Sequence, residues 1–401
     1  MSAKQYEEGA GITLPQKNAA LMSADEVPQF RLREGNDGNP VWHPSNKRML
    51  RGAFSPTGTK VLVSNGYERP DSQLITLPDG GLILAYLENA PENGARERTT
   101  LKVATFYNGH WSDPVTVQED GTADFQPSIC IAGDKVMIAW VSSEPDAHKT
   151  DNAVDYLKYL DVYTAMIDPS TLEVSETARM SIEDTPYYDY DPVCVYDDAT
   201  GDRMVYYTKA DTKGTVENII NTYMNDSAII YRIYDADSQQ WLETYFDEEL
   251  DPEDREAMAP WKGQRFLASP IEGISYNPVI ADFTASTYNG LAVYAYTIDP
   301  DGSNDTDYDK ELFVQVYDFT THKTHKPIRI TNDKFSDALP QIIRTGSGAE
   351  ASTRLFWYHD GKKVQYINLS DLVHEGIEND GSINEEYGSA AQQRNLSSRY
   401  G

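Results

Sequence analysis

The sequence predicts an all-β chain, a β-propeller of four-stranded antiparallel blades, and three observations carry that expectation. An opening signature recurs along the chain: an acidic or polar residue, two further positions, usually a proline, then an apolar strand. Hairpin chemistry follows each signature in the right place. Apolar residues alternate with period two instead of 3.6, as half-buried strands require. Repeats of this kind mean radial blades, since no copy can bury its faces alone.

The copies begin at Asp71 ("DSQLITLPDGGLILAY"), Asp124 ("DFQPSICIAGDKVMIAW"), Asp189 ("DYDPVCVYDDATGDRMVYY"), Ser275 ("SYNPVIADFTASTYNGLAVYAY") and Asp337 ("DALPQIIRTGSGAEASTRLFWY"). Their fourth residues are Leu74, Pro127, Pro192, Pro278 and Pro340, spaced by 53, 65, 86 and 62 residues. The turns "PDGG", "AGDK", "DDATGD", "STYNG" and "GSGAEAS" supply the Gly, Asn and Asp that tight hairpins demand. Third strands read "TTLKVATFYN", "LDVYTAMID", "SAIIYRIYD", "LFVQVYDF" and "KVQYINL", and shorter fourth strands read "DPVTVQE", "ETARMSI", "LETYF" and "KPIRIT". Insertions fall mainly between second and third strands.

Five blades are legible; a composite sixth, built from the chain's two ends, is the alternative. The segment "GTKVLVSNG" from Gly58 has no blade of its own and is expected to close the last one or to form half of that sixth. Residues 1–50 read as a partly irregular extension, 51–377 as the propeller and 378–401 as a tail.

Charge narrows the partners. Lys and Arg number 34 against 64 Asp and Glu, a net of 34 − 64 = −30. A phosphate backbone is gripped by clustered cations, so nucleic acid is excluded as a partner. The same sign argument excludes an anionic membrane surface, and no run approaches spanning length. Tyrosine (27) far outnumbers Phe (11) and Trp (6), which suits strands with one packed and one wet side. Cys130 and Cys194 lie in apolar strand-like runs and read as small buried hydrophobes. The composition resembles secreted and surface proteins of bacteria, and an extracellular or cell-surface location is the expectation; the start carries no signal-peptide pattern, so an excised domain is one reading.

In a propeller the first strand of each blade lines the axis, so the residues just ahead of it gather at one mouth. The chain thereby brings together Arg69, Asp71, Asp124, Asp189, Asp191, Glu272, Tyr276 and Asp337. Convergent polar groups in a cleft form a candidate site. The plainer role of a strand-opening Asp is to cap a turn before a proline that gives up no ladder bond. Tyr187, Tyr188 and Tyr190 can stack on a sugar face or pack between blades, and a glycan ligand is expected to touch Tyr188 and Tyr276. In "DPDGSNDTDYDK", Asp299, Asp301, Asp305, Asp307 and Asp309 offer oxygen ligands to calcium without matching an EF-hand. No cofactor is required by these readings; calcium is the ion the chain could take. No phosphate loop, dinucleotide fingerprint or serine elbow is present.

"RPDSQLITLPDGGLILAYLEN" resembles the opening blade of sialidase-type propellers, where an arginine precedes the first strand. That family's Asp-box turn is reduced here to "YNGHW", and its three carboxylate-binding arginines are matched by Arg69 alone, so the resemblance extends to fold and disfavours an anionic sugar. The chain is also similar to five-bladed glycoside hydrolases of the arabinanase and invertase type. That resemblance implies Asp71 as base, Asp191 of "YDP" as the orienting carboxylate and Glu272 of "IEG" as acid. Asp71 lacks the following proline, and Glu272 stands six residues before Pro278. Three readings stay open: a module recognising a glycan or protein at the propeller mouth, a glycoside hydrolase acting on a neutral glycan, and an assembly propeller without a small-ligand site.

Overall fold

The computed structural model describes residues 12–13, 29–34, 40–44, 63, 66, 71–90, 98–150, 156–181, 187–211, 227–242, 265–266, 282–298, 310–325, 327–345 and 352–372. Two compact units divide the chain, Met1–Ser64 and Asn65–Gly401. In the first, β1 (Ile12–Thr13), β2 (Gln29–Glu34) and β3 (Pro40–Pro44) form an antiparallel sheet in chain order.

The second unit is a β-propeller of five consecutive antiparallel meanders. Blade I comprises β4 (Ser72–Thr76), β5 (Leu82–Asn89), β6 (Thr99–Tyr107) and, sharing its outer position, β7 (His110–Trp111) and β8 (Val115–Thr116). Blade II is β9 (Asp124–Ala132), β10 (Lys135–Ser143), β11 (Leu160–Ile167) and β12 (Ala178–Arg179). Blade III is β13 (Tyr187–Tyr196), β14 (Arg203–Asp211), β15 (Ser227–Asp235), β16 (Gln240–Trp241) and β17 (Arg265–Phe266), the last two both pairing with β15. Blade IV repeats the plan with β18 (Phe283–Tyr288), β19 (Leu291–Ile298), β20 (Glu311–Asp318), β21 (Lys323–Thr324) and β22 (Ile328–Arg329). Blade V has three strands among the described residues, β23 (Asp337–Thr345), β24 (Ser352–His359) and β25 (Lys363–Asn368), followed by the short helix α1 (Leu369–Leu372). From the stretch Gly58–Gly66, the described pairing is a bridge from Gly66 to Glu88 of β5 in the first blade; residues 58–62, 64 and 65 lie outside the described residues.

Turn residues act where the sequence predicts them. Asn108-Gly109 and Asn289-Gly290 have positive φ at both positions, the geometry of a two-residue hairpin whose twist matches its strands. Gly81 is required for another reason: a Cβ there would come within 2.3 Å of the Tyr107 ring.

The cores lie at successive blade junctions, because a blade's second strand sends alternate residues to opposite neighbours. Val205 and Tyr207 of β14 face blade II with Met137, Val141 and Ile230. Met204 and Tyr206 of the same strand face blade IV with Tyr231, Tyr294 and Tyr317. Ile83, Val103, Ile138 and Trp140 join blades I and II, and Val293, Val314, Leu355 and Trp357 join IV and V. First strands meet in order, β4 on β9, β9 on β13, β13 on β18 and β18 on β23, and so line a common axis.

A second repeat ties each third strand to the chain that follows it. Leu101, Val162 and Leu312 are fully buried. Their carbonyls accept from the amides of Val117, Met180 and Ile330 at 2.9, 2.7 and 2.8 Å. Their own amides donate to Asp124 Oδ2, Ser181 Oγ and Thr331 Oγ1, each at 2.8 Å. Both backbone groups of each of these three buried residues are thereby paired.

Candidate functional site

The opening signature folds the same way in blades II, III and V. The ladder skips two residues of the first strand against one of the second: Gln126-Pro127 against Trp140, Asp191-Pro192 against Tyr207, Leu339-Pro340 against Trp357. Each is a β-bulge, in which the extra residue is freed from pairing and its side chain re-aimed. Proline suits the second skipped position because it has no amide to lose. The residue before it is barred from the right-handed helical region and takes the left-handed one: φ is 49° at Gln126, 51° at Asp191 and 51° at Leu339. Aspartate tolerates that conformation; Gln and Leu adopt it at a cost.

The signature thus holds two kinds of position with different fates. In these three blades the first residue of the copy is buried and engaged inside the fold. Asp124 accepts from the Leu101 amide and, at 2.9 Å, from the Ser142 hydroxyl directly across the ladder. Burial pushes its carboxyl up to about 7 against the pull of those two bonds. Asp189 lies opposite Lys209, whose Nζ stands 2.9 and 3.0 Å from its two oxygens, with both side chains 2% exposed. Asp337, fully buried, lies opposite His359 and meets its Nδ1 at 3.0 Å. One device serves all three: a carboxylate at the head of the first strand is matched to a polar residue at the end of the second.

The third residue behaves differently. Asp191 is partly exposed and bonds across a blade boundary. Its backbone amide donates to Gln126 Oε1 at 3.0 Å, and Gln126 Nε2 donates back to its Oδ1. Burial, with the charge of Asp71 second, pushes the Asp191 carboxyl up to about 6, and the bond from Gln126 opposes both. Asp71 itself is exposed, ahead of β4. Tyr294 of blade IV is also within electrostatic reach of Asp191, and its buried hydroxyl has no hydrogen-bond partner. Leu339 is 54% exposed, and its amide donates to Asp282 Oδ2 of blade IV at 3.1 Å. In both cases the left-handed residue is anchored by a side-chain oxygen from the preceding blade.

The structure therefore brings Asp71 within reach of Asp191 and adds Gln126, which sequence reasoning missed. A signal was available: Gln126 occupies in "DFQP" the place that Asp191 holds in "DYDP". Tyr188 is 5% exposed in the core between blades II and III, stacked on Tyr190 with centroids 5.2 Å apart, so of its two expected roles the packing one describes its surroundings. Arg69, Glu272, Tyr276, Asp299, Asp301, Asp305, Asp307 and Asp309 lie outside the described residues. Among the described residues no group of three or more His, Cys, Asp and Glu is disposed to hold a metal, and no helix is long and apolar enough to cross a membrane. Cys130 and Cys194 are free thiols on neighbouring first strands.

A further cluster of charge lies within blade II. Arg179 Nη2 lies 2.6 Å from Asp161 and 2.7 Å from Glu144. Burial raises the Asp161 carboxyl, Arg179 opposes that rise, and the charge of Asp189 adds to it. Its tie to blade III is Arg232, whose Nη1 donates to the carbonyls of Arg179 and Met180 at 3.3 Å each.

No family model matches the sequence, and no curated protein does. Among solved structures, the chain is similar to a Penicillium chrysogenum alpha-L-arabinanase complexed with arabinobiose, at 13% identity over 74% of this chain and 79% of that one, with a TM-score of 0.42. An alpha-L-arabinofuranosidase from Fusarium graminearum matches at 12% identity over 86% of each chain, with a TM-score of 0.45. The chain spans under half of a Trypanosoma rangeli sialidase, 46%, at 8% identity and a TM-score of 0.42. These are likenesses to propellers, and the blade plan stands on the sheets themselves.

Proposed function

We propose that this propeller recognises a neutral glycan through the residues on its first-strand bulges, with Asp191 at the centre of the site. The observation that carries the reading is the contrast inside one signature. Asp189 is closed off by Lys209, whereas Asp191, two residues on, is left partly open. A carboxyl beside a carboxamide suits the hydroxyls of a sugar, and the exposed Leu339 on the bulge of blade V offers an apolar surface of the kind its C–H faces meet. The neighbouring charge of Asp71 disfavours an anionic ligand. The test is calorimetric titration of the full chain with neutral oligosaccharides chosen from a glycan array, in wild type and in Asp191→Asn. Saturable binding lost in the variant supports the reading; absence of binding to every neutral glycan ends it.

A second reading, hydrolysis of such a glycan, is favoured by one observation: the Asp191 carboxyl is pushed up to about 6, in the range where a carboxyl exchanges protons near neutral pH. Asp71 would act as base, Asp191 would tune it and Glu272 would be the acid, with no cofactor. Release of reducing sugar, abolished by Asp191→Asn and by Glu272→Gln at unchanged melting temperature, supports hydrolysis. Binding without release leaves the recognition module.

A further inference from the structure

We propose that Gln126 is a positioning residue, whose carboxamide clamps Asp191 across the boundary between blades II and III and fixes where that carboxyl stands. The inference rests on the reading of Asp191 as the centre of the site and names the residue that makes it one.

The geometry requires an amide at this place. Two groups of Asp191 face Gln126: a backbone N–H that needs an acceptor and a carboxylate oxygen that needs a donor. Of the side chains long enough to reach, a primary carboxamide supplies both at once in a planar fork, its oxygen taking the N–H and its nitrogen serving the oxygen. The corresponding contact between blades IV and V shows the simpler solution. There Asp282 need only accept the Leu339 amide, because leucine presents nothing further, and a carboxylate suffices. An acid could anchor the backbone of either bulge, but only the amide also holds the side chain of Asp191.

The bulge before each proline puts Gln126 and Asp191 in the left-handed conformation, φ 49° and 51°, and the two hydrogen bonds between them cross the blade boundary. A structural filler would not need this pairing, since the apolar junction beneath is already closed by Met137, Val141, Val205 and Tyr207.

The test reads the Asp191 carboxyl directly, without any ligand. The full chain is labelled with carbon-13 at aspartate Cγ and titrated by NMR, the signal of Asp191 being the one lost in Asp191→Asn. Among the described residues the charge that reaches this carboxyl is that of Asp71; the nearby Tyr294 phenol, its proton held by burial, stays neutral through the titration, and both residues are kept. In Gln126→Met the donor that favours the charged form is gone, and the midpoint rises by about one pH unit. In Gln126→Glu, which keeps length and acceptor but replaces the donor with a carboxylate, it rises at least as far. Unchanged midpoints in both overturn the proposal, and should Gln126→Met fail to fold, the isosteric Gln126→Glu decides alone. A wild-type chain that binds no glycan while these midpoints move refutes the glycan reading and leaves the clamp standing.

Discussion

Asp189 and Asp191 stand two residues apart on one strand and occupy different chemical worlds. Asp189 is in register with Lys209, desolvated and charge-matched, and its carboxylate is part of the scaffold. Asp191 sits on a bulge, out of register, with a carboxamide from another blade holding it and a second acid raising its proton affinity. The difference teaches that in this fold ladder register decides role. A side chain paired in the ladder is drawn into the junction, and one skipped by the ladder is released.

The comparison breaks first at the scaffold end. Lys209→Met leaves the Asp189 carboxylate buried without its countercharge, and chemical denaturation should show a loss of about 3–5 kcal/mol. Pairing it with Asp189→Leu should recover most of that loss, since the desolvated charge is then gone from both sides. A single variant as stable as wild type would mean that the pair is dispensable.

Next in size is the pH response of the first positions. The Asp124 carboxyl titrates near 4 when unfolded and at about 7 when folded, so between those values the native state holds the additional proton. Its contribution to stability is full below pH 4 and is lost as pH rises toward 7. Denaturation midpoints for wild type should therefore fall across that window, and Asp124→Asn should flatten the slope.

At the released end, Asp191→Asn keeps a side chain that tolerates φ 51° and can still accept from Gln126. Stability should change by less than about 1 kcal/mol, while glycan affinity falls at least about tenfold, or about 1.4 kcal/mol, by calorimetry. The smallest effect is expected at Leu339, which is strained and 54% exposed. Leu339→Asn should stabilise the chain by up to about 1 kcal/mol, because asparagine accepts the left-handed backbone and little packing is lost. A clear loss of stability there would show that the leucine packs more than its exposure suggests.

Much of the architecture could be read from the residues. Every third strand named from the sequence, from "TTLKVATFYN" to "KVQYINL", is a third strand in the fold, because period-two patterning and hairpin dipeptides are local signals. The pairing of Gly66 with Glu88 in the first blade was not legible, since a lone segment carries no mark of its partner. The site was half legible. Asp191 stood out for its position, but the division between first and third residues did not, because both are aspartates in "DYDP" and only register separates them. Lys209 and His359 were invisible as partners, since each is chosen by a pairing some twenty residues away. Gln126 was overlooked because the search followed charge, and the clamp is neutral.

The bulges have a consequence for how such a propeller can change. The skipped residues contribute no rung to any sheet, and the proline beside each would have none to give. Replacing Gln126, Asp191 or Leu339 therefore alters the inner rim without rewriting the blades behind it. If the proposed glycan site lies there, single substitutions at these three addresses would exchange one specificity for another while the skeleton stays alike.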